Sequence, residues 1–222
     1  MEWPRTPLDL AEEQVRIGSL DVPEWTPPSG VLTGGVFVCF ERGGEGAGGP
    51  GDRGWAGAAV REGRRLVIST EFGEAGAAYE PGFLALREGP LLEAAVVSLA
   101  VRPDVLLVNA TGRDHPRRAG LALHLGAVLD LPTIGVTNRS LVASGPEPNS
   151  DRFARSPLRI DGDVVGYRLR ARETARSLCV HSGWRTTPEV ALDLVTRVIG
   201  RFRTPEPIRR ARTVARRARS GH

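Results

Sequence analysis

The chain has 222 residues, 41% of them apolar and 25% charged, which suits one domain with a three-layer core. No run of about 18 apolar residues occurs and the N-terminus lacks an apolar segment, so we expect neither a membrane span nor a secretory signal. Cys39 and Cys179 both lie in apolar runs. We interpret them as buried free thiols of a cytoplasmic, monomeric protein that does not bind membranes.

The net charge of +4 is concentrated at one end. Residues 203–222 contain seven arginines and one acid, so this segment carries +6 and residues 1–202 carry −2. We predict a single domain over residues 1–202 followed by an arginine-rich tail over 203–222. A flexible tail would add non-specific affinity for nucleic acid that falls steeply with salt. The alternative is a solvated amphipathic helix, because apolar residues recur at helical spacing: Ile208, Ala211, Val214 and Ala215.

The first third of the chain predicts one helix and an antiparallel meander. The helix covers Leu8–Gly18, and the three strands cover Val31–Phe40, Trp55–Arg61 and Arg64–Thr70. The glycine-rich segment Arg42–Arg53 joins two strands and lacks a Gly-Lys-Ser/Thr ending. It therefore predicts a flexible hairpin loop and not a phosphate cradle.

Helices and strands alternate in the rest of the chain. Helices are predicted at Pro90–Val101, Arg117–Asp130 and Thr187–Phe202, with strands at Asp104–Val108, Pro132–Thr137 and Ser177–His181 and a hairpin over Leu158–Arg170. A three-stranded antiparallel meander followed by αβ units predicts an α/β fold, with a mixed sheet and helices on both faces.

Several ordered motifs identify a family. Tyr79–Glu88 resembles the endonuclease V signature Tyr-x-Pro-Gly-x-x-x-x-Arg-Glu, and similar motifs follow at Pro103–Asn109, His115–Arg118 and Asp130–Val136. Weaker similarities are found at Val31–Phe40, Ser182–Arg185 and Pro205–Arg209. The resemblance implies a ribonuclease H-like fold and an Mg²⁺-dependent enzyme that recognises deaminated adenine (inosine) in DNA or RNA. Such enzymes cut one nucleotide beyond the lesion, on its 3′ side.

The resemblance also implies roles for individual residues. Tyr79, Pro81 and Gly82 would form a wedge that enters the nucleic acid while the altered base is flipped into a pocket. His115 would contact the phosphate or a metal-bound water, and Arg139 would contact a phosphate. The glycines that would line the base pocket, or simply allow helix to pack closely on strand, are Gly120 and Gly135.

The positions expected to hold Mg²⁺ depart from the family pattern. Hydrolysis of a phosphodiester on this fold uses carboxylates that fix the metal. The resemblance aligns these with Phe37, Asn109 and Glu88, of which only Glu88 is an acid. Asp114 is a candidate substitute. Two further positions differ, because a lysine aligns with Asn138 and a late histidine with Trp184.

Three hypotheses follow. The first is a nucleic-acid-binding pseudoenzyme, because a cleft with fewer acids binds a phosphate backbone better without metal. The second is an active Mg²⁺- or Mn²⁺-dependent DNA-repair endonuclease with a rearranged site of Glu88, Asn109, Asp114 and His115. The third is a protein-interaction scaffold, which a wedge buried against its own chain would favour.

Overall fold

A computed structural model describes residues 2–41 and 48–221. Part of the predicted glycine-rich loop, residues 42–47, lies outside these residues. The described strands are β1 (Thr33–Phe40), β2 (Arg53–Glu62), β3 (Arg65–Glu74), β4 (Val105–Val108), β5 (Thr133–Thr137), β6 (Arg155–Ile160), β7 (Asp163–Leu169) and β8 (Leu178–Ser182). The described helices are α1 (Pro7–Gly18), α2 (Leu84–Val97), α3 (Leu121–Leu129), α4 (Pro188–Val198) and α5 (Glu206–Ser220). No described helix combines the length and apolarity that crossing a bilayer requires.

The eight strands form one mixed sheet in the order β3-β2-β1-β4-β5-β8-β7-β6. β1 pairs antiparallel with β2 and parallel with β4, while β4 and β5 are parallel. The run of four residues in β4 is buried on both sides, which explains its uniformly apolar sequence. The predicted meander and αβ units are thus confirmed, and the three parallel strands β1, β4 and β5 are central.

Helices cover both faces of the sheet, as predicted. On one face, α2 and α3 place Leu92, Ala95 and Leu125 in a core with Val36 and Val38 of β1. On the other, Leu194 of α4 and Ile208 of α5 share a core with strand residues of β4 and β5, namely Leu107 and Ile134. Both predicted free thiols, Cys39 and Cys179, are buried.

Two predicted helix starts were wrong by several residues. The helix predicted from Pro90 begins at Leu84, and Pro90 lies inside it. Proline lacks the N–H that would bond to the residue four positions earlier, which made it look like a helix start. The helix predicted from Arg117 begins at Leu121, because Arg118 has a left-handed φ of 57° and Gly120 an extended backbone.

The arginine-rich segment forms α5, which packs on β1 and β2. Of the two interpretations of this segment, the helical one is observed, but the helix is not solvated on all sides. Ile208, Ala211 and Ala215 are completely buried. The helix can approach β2 closely because Gly57 has no side chain. A Cβ on Gly57 would lie 2.7 Å from the Ala211 carbonyl oxygen.

Candidate nucleic-acid-binding cleft

A cleft of about 250 Å³ opens at the carboxyl ends of the parallel strands β4 and β5, where ligands bind in open α/β sheets. It brings together six residues predicted from the sequence: Tyr79, Pro81, Gly82, Asn109, His115 and Arg139. The other residues that line it were not predicted, because they carry no motif of their own: Leu84, Ala110, Thr111, Leu121, Thr137, Ser140 and Leu141. Glu88, Gly120 and Gly135 are not among the lining residues.

The wedge segment is anchored by hydrogen bonds to Gly82, while the Tyr79 side chain is exposed. Gly82 has a φ of 87°, which favours glycine, and its carbonyl oxygen accepts two hydrogen bonds. The donors are His115 Nε2 at 3.1 Å and Gln14 Nε2 at 3.0 Å. Tyr79 nevertheless keeps 46% of its surface exposed. The wedge is therefore not covered by the chain's own described residues, which removes the observation that would have favoured a scaffold.

His115 is a positioning residue for the wedge. It is 1% exposed, and its Nδ1 accepts a hydrogen bond from the Arg117 backbone N–H at 3.1 Å. Nε2 therefore carries the proton that it donates to Gly82. Burial lowers the pKa of the imidazole, so the ring is neutral near pH 7. Both ring nitrogens already have partners within the protein.

Asp114 shapes the loop on the opposite side of the cleft. It is fully buried, and its carboxylate accepts backbone hydrogen bonds from Leu141 at 2.7 Å, Val142 at 2.9 Å and Ala143 at 2.7 Å. These three hydrogen bonds take up most of the acceptor sites of the carboxylate. The predicted substitute ligand is therefore a structural anchor for the loop that carries Arg139.

A buried histidine supports the same loop. His181 Nε2 lies 2.9 Å from Thr137 Oγ1, and that hydroxyl donates to the Arg139 carbonyl oxygen at 2.7 Å. Thr137 must therefore accept from His181. Burial lowers the pKa of His181, and the Asp114 carboxylate, whose Oδ2 lies 3.6 Å from Nδ1, opposes this effect. This network fixes the backbone of Arg139 while its side chain stays exposed at the cleft rim.

The two predicted pocket glycines act through packing. A Cβ on Gly120 would lie 2.3 Å from Thr111 Oγ1, and one on Gly135 would lie 2.4 Å from the Ala110 carbonyl oxygen. Larger residues would displace the loop that follows β4. The glycines thus set the position of Ala110 and Thr111, which do line the cleft.

Glu88 lies on α2 in a desolvated position. Burial raises its pKa to about 7 against a smaller opposing effect of Arg87. Arg87 itself is paired with Asp52 at 2.7 Å, and Arg117 bonds to Gln14. Within the described residues neither arginine forms an ion pair with Glu88, whose carboxyl group has no hydrogen bond there.

The two other positions aligned with family acids both contact an arginine of α5. The guanidinium carbon of Arg212 lies 4.8 Å from the centroid of the Phe37 ring. Its Nη2 lies 3.4 Å from Asn109 Oδ1. Sequence reasoning missed Arg212, because seven similar arginines occur in its segment and only the fold distinguishes them.

The donor set does not fit a divalent cation. Among residues 2–41 and 48–221, no three His, Cys, Asp or Glu side chains are grouped so that they could hold a metal ion. Phe37 offers no oxygen and Asn109 offers a neutral one, whereas Mg²⁺ prefers anionic oxygen donors.

Neither of the last two changed positions lines the cleft. Trp184 is 9% exposed in a core cluster with Ile17, Ala119 and Leu123. Asn138 accepts a hydrogen bond from Arg203 Nη1 at 2.6 Å, and neither residue lines the cleft.

Known proteins share both the sequence and the fold. The family model Endonuclease V matches residues 55–213. The Endonuclease V of Rhodospirillum centenum is 43% identical over 159 residues, which are 71% of this chain and 65% of that protein. The chain thus spans about two thirds of the length of this curated relative.

Solved structures of Endonuclease V are also similar to this chain. The crystal structure of Endonuclease V from Streptomyces avermitilis matches with a TM-score of 0.85 and 32% identity, over 99% of this chain and 95% of that one. Ciona intestinalis Endonuclease V, in complex with a 24mer DNA containing an inosine followed by a ribo-adenosine, matches in fold with a TM-score of 0.74. That likeness has 20% identity and covers 96% of this chain and 98% of that one. These neighbours have the ribonuclease H-like fold. With its cleft, its mixed sheet and the match over residues 55–213, this chain belongs to the endonuclease V family.

Proposed function

We propose that this family member binds nucleic acid in the cleft, at deaminated, inosine-like bases of DNA or RNA, and does not cut it. The observation that carries the proposal is a contrast between the residues expected to bind nucleic acid and those expected to bind a metal. The wedge residues Tyr79, Pro81 and Gly82 are assembled and accessible, whereas no described group of three side chains is placed to hold a metal.

Binding is supported by the character of the cleft. An exposed aromatic ring such as Tyr79 can stack on a base, and a base flipped from a helix needs a pocket with polar edges. Asn109, Thr111 and Ser140 provide such polar groups, and Arg139 provides positive charge at the rim. The inosine-containing DNA in the Ciona intestinalis complex supports the ligand class.

The lack of cleavage is supported by the state of each candidate donor. Asp114 and His115 are engaged in internal hydrogen bonds, and Glu88 has a raised pKa near 7. An active endonuclease with a rearranged site would have to free Asp114. Breaking a buried, charge-assisted network costs about 3–5 kcal/mol. No observation compensates for that cost, so the binding module is favoured over the active enzyme.

Binding is tested with labelled DNA and RNA oligonucleotides, each with and without one inosine, at several salt concentrations. We expect Tyr79→Ala to weaken binding about 10-fold or more, since stacking contributes about 1–3 kcal/mol per base. Phe72→Ala is the matched control, because Phe72 is an aromatic residue with 55% exposure on β3, outside the cleft. No binding beyond that of a peptide of residues 203–222 would end the proposal.

Cleavage is tested on the inosine-containing strands with Mg²⁺ and with Mn²⁺. We expect no product that depends on the protein. Scission that disappears in Glu88→Ala would establish the active enzyme instead, whereas scission that persists in this variant would indicate a contaminant or another site.

A further inference from the structure

Arg212 occupies the space between the two positions where the family resemblance expects metal-binding acids. It reaches there from α5, with its guanidinium against the Phe37 ring and toward Asn109. Asn109 also lines the cleft, so Arg212 borders the binding site and does not belong to a remote surface. A fixed side-chain cation therefore stands where a divalent cation is expected.

The charge of Arg212 is not neutralised within the described residues. Its guanidinium has no carboxylate within 4.0 Å there, and its Nε is buried without a hydrogen-bond partner. Burial, followed by repulsion from Arg216, lowers the pKa of Arg212. A partly desolvated cation with an unused buried donor is costly unless an anion completes it, and stacking on Phe37 offsets only part of that cost.

We propose that Arg212 binds a backbone phosphate of the nucleic acid at the position of the missing metal. The proposal rests on the proposed function and names the group that holds the strand there. A guanidinium matches a phosphate with two parallel N–H donors. Unlike a metal ion, it does not lower the pKa of a bound water, and it remains protonated, so it cannot act as a base. With Phe37 and Asn109 in place of the two acids, the site binds the strand without cleaving it.

The experiment measures binding of the full chain to a labelled single-stranded DNA oligonucleotide with one inosine, over a range of salt concentrations. We expect Arg212→Gln to weaken binding about 10-fold and to reduce the slope of log K against log salt by about 0.7, the contribution of one phosphate contact to a single strand. Arg217→Gln removes an exposed arginine of the same helix and is expected to stay within about twofold of wild type. Wild-type binding is expected to persist in EDTA, without any requirement for Mg²⁺.

The two proposals fail in different ways. If wild type binds but Arg212→Gln matches it in affinity and slope, or Arg217→Gln loses as much, the role of Arg212 is overturned and the proposed function stands. Binding that requires Mg²⁺ also overturns the role of Arg212. If wild type does not bind, both proposals fall.

A second measurement does not depend on the folding of Arg212→Gln. The Nε–H resonance of Arg212, assigned by its loss in Arg212→Lys, is expected to shift when the oligonucleotide is added to the wild-type protein. An unchanged resonance at saturation would overturn the contact.

Discussion

Glu88 is expected to make the folded protein less stable as the pH rises. Burial raises the pKa of its carboxyl group from 4.5 to about 7 in the folded state. The folded protein therefore binds more protons than the unfolded chain between these values. The full stability is present below pH 4.5 and is lost as the pH rises through 7. The difference of about 2.5 pKa units corresponds to about 3 kcal/mol at pH 8, an upper value because Glu88 keeps some exposure.

Glu88→Gln removes the ionisable group and should abolish this contribution. We expect the variant to match wild type near pH 4.5 and to exceed its free energy of unfolding by as much as about 3 kcal/mol at pH 8. Urea denaturation at a series of pH values measures the difference, in which the other titrating groups cancel. Glu62→Gln, at an exposed position at the end of β2, is the control and should show little change.

The reasoning would be refuted by a variant that is less stable than wild type at pH 8, or by a difference that does not depend on pH. The first result would mean that the carboxylate is ionised and favourably held in the folded protein, and the second that folding does not shift its pKa. A metal role for Glu88 would then regain support, particularly if Mg²⁺ stabilised wild type and not Glu88→Gln.

Three further substitutions test the framework of the cleft, each by urea denaturation. Asp114→Asn should lower the free energy of unfolding by about 3 kcal/mol, because an amide cannot accept all three backbone hydrogen bonds; an unchanged value would show that the loop does not depend on the carboxylate. Gly135→Ala should cost about 1–3 kcal/mol, since its Cβ would meet the Ala110 carbonyl oxygen at 2.4 Å. Ile208→Ala should cost about 3 kcal/mol if α5 is part of the core, whereas Arg217→Ala should stay within about 0.5 kcal/mol; equal effects would contradict the packing of α5.

Much of the fold could be predicted from the sequence, because local patterns determine it. Apolar runs and turn residues predicted the meander and the alternating units. Thr187 and Pro188 predicted the start of α4, where the Thr187 hydroxyl indeed accepts a hydrogen bond from the Val190 backbone N–H. Helix starts without such a cap were placed wrongly, as at Leu84 and Leu121, where no side chain caps the helix.

The long motifs also predicted part of the cleft. Tyr79, Gly82 and His115 could be assigned to one site because their order and spacing match a family pattern, and the structure brings them together. The contacts of each group were harder to predict. His115 was expected to contact a phosphate or a metal-bound water, and the structure shows its Nε2 bonded to the Gly82 carbonyl oxygen.

The sequence by itself determined the order of the elements, and its resemblance to the family predicted the wedge and the replacement of two acids by Phe37 and Asn109. Only the tertiary structure decided that the Asp114 carboxylate accepts hydrogen bonds from backbone amides. It also decided that Arg212 contacts Asn109, from which it is 103 residues away along the chain. Hydrophobic periodicity extends over a few residues, so it can be detected in the local sequence. The availability of a charged group depends on which distant groups surround it, and that is fixed only when the chain has packed.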